Sequence, residues 1–251
     1  VGAICVIAPR ALSLWEARWV QDDAYVSFRY AKNLVRGDGL VYNPGARVEG
    51  YSNFLWTMLS AVPLALGVED PLPSMHGLGL WCWVCSYALL IALGARLFLA
   101  GNWAAPLAAV PLAYHWSYNM WFVSGMETPL VSLLTVALVG LFVKDPEEDP
   151  TALLWASLAG VALTLTRPDG VVIFAGIAVA GLAFYWRPLF CERNWWTYFW
   201  LPLLPVVVIL VPYNVWRVLY FGEFLPNTYY AKTGDLAGRF PEVSWLIAHS
   251  G

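Results

Sequence analysis

Long apolar runs alternate with short polar connections along this chain, and the runs have the length of membrane-spanning helices. About 20 apolar residues suffice to cross the hydrocarbon core of a bilayer as a helix. A shorter run, 51–68, carries Ser52, Asn53 and Pro63. The pattern predicts an all-α integral membrane protein, with spans at about 76–98, 103–123, 126–143, 151–166, 170–186 and 198–221.

The first apolar run, 1–15, is interrupted by Pro9 and Arg10 and is shorter than a full span. We interpret it as the C-terminal part of a first span. A signal-peptide core is the alternative, but no small-residue cleavage site follows it. The chain is then expected to be a single module, 1–251, of a longer protein, with about seven transmembrane helices.

The run 51–68 decides the topology. If it spans the bilayer, the loops that carry polar residues fall on opposite faces. If it is a juxtamembrane or re-entrant helix, Arg167 is the one basic residue in the short outer turns, as the positive-inside rule favours. The basic residues at cytoplasmic helix ends are then Arg96, Lys144, Arg187 and Arg193.

This second topology predicts a multi-pass protein of the inner (plasma) membrane with its site on the extracytoplasmic face. Four polar clusters share that face. Because they come from distant parts of the chain, a site is expected where they converge over one end of the bundle. The clusters are 22–50, 124–128, 167–169 and 222–233.

Composition agrees with a membrane protein and excludes several site types. Apolar residues make up 60% of the 251 positions and charged residues 12%, about half the charged fraction of a soluble domain. A net charge of −3 leaves no basic footprint for nucleic acid. Cys82 and Cys85 form a CxxC inside an apolar run, where thiols usually behave as small hydrophobes.

The first polar cluster begins with a stretch of helical spacing, 22–36. Apolar residues recur on one side and cations near the other, which predicts an amphipathic helix lying in the membrane interface. Gly37 is expected to end it in a left-handed conformation, before a turn at Asn43-Pro44-Gly45. The apolar side holds Ala24, Phe28, Ala31 and Val35, and the other side Arg29, Lys32 and Arg36.

Asp22 and Asp23 lie at the start of this helix, just after the first span. One of them could be a simple N-cap that interacts favourably with the helix dipole. Two adjacent carboxylates at the mouth of a membrane helix are costly to desolvate, and such acids usually have a function. They could deprotonate a hydroxyl or bind a divalent cation, which is the one cofactor that the sequence suggests.

The run WVQDDAYVSFRYAKNLVRGDGLVYNPGARVEGYSNFLW, 19–56, resembles the first outer loop of bacterial GT-C glycosyltransferases. The likeness is greatest to their arabinofuranosyltransferase-like branch. Three later motifs occur in the order of that branch: GMETP at 125–129, TRPDG at 166–170 and PNTYYAK at 226–232. The resemblance covers nearly the whole chain and implies a GT-C-like bundle whose first outer loop contains juxtamembrane helices.

The resemblance also implies an activity. Such an enzyme transfers a sugar, here a pentose such as arabinofuranose, from a polyprenyl phosphate to a cell-envelope glycan or lipid, with inversion. Asp22 or Asp23 matches the family's candidate general base, and the residues leave the choice between them open. Glu127 matches a second acidic position that contacts donor or acceptor.

The remaining polar residues of the outer face are of types that can bind the phosphate and the sugar hydroxyls of the donor and acceptor. Cations stabilise a phosphate leaving group, and carboxylates and amides bind sugar hydroxyls. The donor's lipid tail would stay in the membrane while its head group meets the aspartates. The predicted donor- and acceptor-binding residues are Arg29, Glu49, Asn53, Glu127, Arg167, Asp169, Asn227, Tyr229 and Lys232.

Structural alternatives exist for several of these residues. Glu127 could be a first-turn helix acid, and Arg167 could pair with Asp169 across their short turn. Lys232 could snorkel to the interface and Tyr229 could belong to an aromatic belt. Two other functions also stay open: a transporter or flippase for a lipid-linked precursor, and a non-catalytic GT-C-like assembly factor.

Overall fold

The computed structural model describes residues 2–97, 111, 113–143, 149, 151–184, 195–224, 226–227 and 230. Within these ranges the regular structure is helical, with no strand beyond one isolated bridge between Asn43 and Ala46, so the all-α prediction is confirmed for them. The helices are α1 Gly2–Glu16, α2 Asp22–Arg36, α3 Phe54–Ala65, α4 Leu72–Leu97, α5 Trp116–Phe122, α6 Thr128–Phe142, α7 Thr151–Thr166, α8 Gly170–Phe184, α9 Trp195–Pro205 and α10 Val211–Phe221.

Two helical stretches are long and apolar enough to cross a membrane, Leu72–Arg96 and Tyr198–Phe221. The second joins α9 to α10 through a π-helical segment, Val206–Leu210, that follows Pro205. Large apolar side chains cover its surface, such as Leu219, which is 79% exposed. Apolar helices with such surfaces indicate a membrane protein. The predicted count of about seven spans is not tested by these helices.

Helix α3 has only 12 residues and includes Pro63, so it is too short to cross a bilayer. It packs against α2 and α7. Trp56 of α3 is fully buried, and its indole N–H donates to the carbonyl of Gly125 at 3.0 Å. Three of its residues are buried, Trp56, Thr57 and Ser60. The juxtamembrane or re-entrant interpretation of 51–68 stays a prediction.

The predicted apolar side of α2 packs mostly against protein. Ala24 and Phe28 are buried against Trp56 of α3 and Met75 of α4, whereas Val35 near the end of the helix is 41% exposed. The placement of α2 in the membrane interface stays a prediction. The helix is amphipathic because it lies on the protein's own core. Gly37 ends it as predicted, at φ +88°.

Helix α7 lies at the centre of the bundle and contacts α3, α6, α8 and α9. Leu163 of α7 and Leu138 of α6 are fully buried in the core between these helices. Gly170 begins α8 in close approach to α7, because a Cβ at this position would lie 2.4 Å from the Leu163 carbonyl oxygen. The tight turn between α7 and α8 therefore requires the small residue.

Backbone hydrogen bonds bring distant connections to one end of the bundle. The amide of Trp19, after α1, donates to Val123, after α5, at 3.0 Å. The amide of Gln21 donates to Ser124, also at 3.0 Å. The start of α2 thus lies beside the turn that precedes α6, as convergence of the polar clusters requires.

We expect Gly170→Ala to lower the free energy of unfolding by about 1–3 kcal/mol, because the added methyl group meets backbone that cannot rotate away. Gly176→Ala in the same helix is the matched control, since nothing lies within 4 Å of its Cβ position. Thermal unfolding of both variants in detergent micelles measures the difference. Equal midpoints would contradict the close packing of α8 on α7.

Candidate functional site

The turn between α5 and α6 carries Glu127, which, like Glu49, is a buried acid among the predicted site residues. Gly125 adopts φ +79°, and a Cβ there would lie 3.6 Å from the Cβ of Ala24. Glu127 occupies the N-cap position of α6, but its side chain does not cap the helix. Since this residue precedes the first turn and is only 4% exposed, the description of Glu127 as a simple first-turn acid is wrong.

Glu127 instead lies at the centre of a hydrogen-bonded chain that we call the Asn53 network. One carboxylate oxygen accepts from Arg167 Nη1 at 3.0 Å and the other from Asn53 Nδ2 at 2.9 Å. Asn53 Oδ1 in turn accepts from the hydroxyls of Ser27 (2.9 Å) and Thr57 (3.2 Å). The network joins α2, α3, the turn before α6 and the turn after α7.

The solvent-facing end of this network is the turn 167–169. Arg167 Nε donates to Asp169 Oδ1 at 2.9 Å, so the predicted pair across the turn is confirmed. The hydrogen bond to Asp169 raises the pKa of the Arg167 guanidinium, although burial opposes this rise. The Arg167 side chain is still 42% exposed and retains surface for a ligand.

Asp22 and Asp23 are exposed in the first turn of α2, and Gln21 occupies the N-cap, so the N-cap interpretation of these aspartates is wrong. Residues four apart share one side of a helix. Asp23 therefore lies one turn before Ser27, a member of the Asn53 network, whereas Asp22 lies one turn before Val26. This spacing places Asp23 nearer than Asp22 to the Ser27 side of α2, and the choice of general base between the two acids stays a prediction.

Glu49 takes part in a second buried contact. Its carboxylate accepts from Arg217 Nη1 of α10 at 2.8 Å, and both residues are under 10% exposed. Arg217 also donates to the Phe224 carbonyl, and the amide of Asn227 donates to the Glu49 carbonyl at 3.0 Å. Burial raises the pKa of Glu49, while Arg217 opposes this shift.

The loop that carries Glu49 is held by Tyr30 of α2. The Tyr30 hydroxyl donates to the Val48 carbonyl at 2.6 Å and accepts from the Gly50 amide at 2.8 Å. The next aromatic residue, Tyr51, is 3% exposed, and its hydroxyl has no partner among the described residues. Burial raises the pKa of Tyr51.

A cavity of about 330 Å³ lies beside the Glu49–Arg217 pair, and we call it the Glu49 cavity. Its walls come from the loop after α2, the α7–α8 turn and α10. Sequence analysis missed Arg217 because it lies inside an apolar run, although a cation within a predicted span is itself a functional signal. The lining residues are Glu49, Ser52, Thr164, Leu165, Pro168, Val171, Leu210, Tyr213, Asn214, Arg217 and Pro226.

Other predicted residues lie apart from the Asn53 network or are not described. Arg29 is exposed and donates to the Tyr42 carbonyl (2.8 Å) and to Asn43 Oδ1 (3.1 Å). Tyr229 and Lys232 lie outside the described residues. In the described part of the chain, His, Cys, Asp and Glu form no group of three or more that could hold a metal ion. A cation at Asp22 and Asp23 stays a prediction.

The chain is similar to two proteins named terminal β-(1→2)-arabinofuranosyltransferase. The protein from Mycobacterium tuberculosis is 28% identical over 250 residues, which cover 89% of this chain and 36% of the relative. The protein from Corynebacterium glutamicum is 25% identical over 248 residues, or 88% of this chain and 34% of the relative. The chain thus spans about a third of the length of these relatives.

No family model and no solved structure match the chain. The resemblance to arabinofuranosyltransferases of the GT-C superfamily, first drawn from the motifs, is confirmed by the two relatives. The match also fits the expectation that the chain is the N-terminal module of a longer protein. The roles of the individual site residues stay predictions.

We expect Glu127→Gln to destabilise the fold by about 1–3 kcal/mol, because the new amide keeps one acceptor oxygen and places its N–H donors against the N–H donors of either Arg167 or Asn53. Asp169→Asn should cost less than about 1 kcal/mol, since this pair is largely exposed. Thermal unfolding in detergent compares the two partners of the same arginine. Equal losses would contradict a central role for Glu127.

Proposed function

We propose, from this kinship with arabinofuranosyltransferases, that the full-length protein is a membrane glycosyltransferase that uses a polyprenyl-phosphate sugar donor. The sugar is a pentose such as arabinofuranose, the acceptor is a cell-envelope glycan or lipid, and the transfer inverts the anomeric centre. The observation that carries the proposal is the Asn53 network, which joins the first outer loop to two later motifs. The site faces the extracytoplasmic side of the inner membrane in a multi-pass bundle of about seven spans.

Inverting transfer requires a carboxylate that removes the proton of the acceptor hydroxyl as the sugar is attacked. Asp23 is exposed and lies one helical turn before Ser27, a member of the Asn53 network. Asp22 projects from α2 at a position turned away from Ser27. We therefore assign the general base to Asp23 and an auxiliary role to Asp22.

The leaving polyprenyl phosphate needs positive charge beside it. Arg167 has an exposed guanidinium surface at the open end of the Asn53 network, and a planar fork suits phosphate oxygens. Glu127 uses both carboxylate oxygens on protein groups, so it acts by positioning Arg167 and Asn53. Arg29 and Lys232 are further candidate cations of the same face.

A lipid-linked donor suits this arrangement. The polar networks lie at one end of apolar helices, so a polyprenyl tail can stay in hydrocarbon while its head group reaches the network. The dissociated phosphate would then remain at the membrane surface. This placement of charge at helix ends favours transfer over a transporter, which needs charged or helix-breaking residues deep within several spans.

We expect Asp23→Asn to reduce sugar transfer by about 100-fold or more, because a general base contributes about 10²–10⁴-fold to such rates. Asp22→Asn should lose less than Asp23→Asn, and the double variant should be inactive. The assay uses full-length protein with a panel of radiolabelled polyprenyl-phosphate sugars, with and without a chelator. Asp38→Asn is the matched control, since this exposed acid follows α2 at its opposite end.

Full activity in both single variants and in the double variant would reject the mechanism. Loss of activity on chelation would support a divalent cation at Asp22 and Asp23. Movement of the lipid-linked sugar across the membrane of reconstituted vesicles, without transfer of the sugar to an acceptor, would instead support a flippase.

A further inference from the structure

We propose that the Glu49 cavity is a binding subsite for an uncharged sugar unit of the acceptor glycan. The inference rests on the proposed glycosyltransferase function and deepens it, because it assigns a ligand class to a cavity that joins Glu49 to residues outside the motifs. Three of the lining residues come from α10 and belong to no motif: Tyr213, Asn214 and Arg217. The cavity volume of about 330 Å³ is within the range of small-ligand pockets.

Charge balance in the cavity selects against an anionic ligand. Glu49 and Arg217 are the charged residues that line it, and they neutralise each other at 2.8 Å. A phosphate that bound Arg217 would have to displace Glu49 and leave a buried carboxylate next to a second anion. Each unpaired buried charge in that arrangement is strongly destabilising. The phosphate of the donor therefore belongs elsewhere, beside the exposed Arg167.

Hydrogen-bonding capacity in the cavity favours hydroxyl groups. Arg217 has five N–H donors, of which the described contacts to Glu49 and Phe224 use only part. One Glu49 carboxylate oxygen is engaged by Arg217, and the other accepts no bond from the described residues. Ser52 adds a hydroxyl, and Asn214 adds an amide whose nitrogen also donates to the Leu210 carbonyl at 2.8 Å. The cavity thus offers both donors and acceptors, as the hydroxyls of a neutral sugar require.

The position of the cavity suits an acceptor. Ser52 lines the cavity and is followed directly by Asn53, a member of the Asn53 network. Pro168, in the cavity wall, lies between Arg167 and Asp169 on the other side. A glycan held in the cavity would therefore extend towards the network where transfer is proposed. The apolar residues Leu165, Val171 and Leu210 can pack against the C–H face of its ring.

The test measures binding separately from transfer. Full-length protein in detergent is titrated with a short, uncharged oligosaccharide of arabinofuranose units, without donor, and binding is followed by calorimetry. We expect saturable binding that inorganic phosphate does not displace. Asn214→Leu and Ser52→Ala should each weaken it, by about 3–10-fold for a lost neutral hydrogen bond.

Val215→Leu is the matched control, because this neighbour of Asn214 is exposed on α10 and does not line the cavity. Ser52→Ala keeps the test valid if Asn214→Leu fails to fold, since Ser52 is exposed and lies outside the buried ion pair. Absent binding by the wild-type protein, displacement by phosphate, or unchanged affinity in both cavity variants would overturn the subsite. Intact, cavity-dependent oligosaccharide binding without any sugar transfer would overturn the proposed function and leave the subsite standing.

Discussion

The arrangement of the outer segments depends on the two contacts of the buried Glu127 carboxylate, with Arg167 and with Asn53. A buried carboxylate is stable only when charge and hydrogen bonds compensate for lost hydration, and removal of one partner of such a pair is costly. Glu127 meets this requirement with Arg167 on one oxygen and Asn53 on the other. Since these partners come from different turns, the carboxylate can be buried only if the turns converge.

The same constraint operates a second time at Glu49 and Arg217. Here the pair joins the loop before α3 to the last turns of α10. The backbone amide of Asn227 adds a hydrogen bond to the Glu49 carbonyl. Both pairs lie where apolar helices meet polar loops. Paired charges at the end of an apolar bundle provide polar chemistry close to hydrocarbon, which is what a lipid-linked sugar substrate needs.

Local features of the fold were predictable because neighbouring residues determine them. The range 151–166 was predicted as a helix and is one, since an uninterrupted apolar run has few other structures in a membrane. Gly37 was predicted to end α2 because glycine adopts positive φ without steric cost. The sequence alone did not indicate that protein covers most of the apolar side of α2, because an amphipathic pattern is the same whether lipid or protein covers that side.

By itself, the sequence determined the helical class, the positions of helices such as α7 and the residue types of the candidate site, because these follow from composition and spacing. The family resemblance came from the motifs. Only the tertiary structure decided which polar groups meet. It paired Glu127 with Arg167 across 40 positions and Glu49 with Arg217 across 168. Contacts between distant residues depend on how whole helices pack, and no local pattern in the chain encodes that packing.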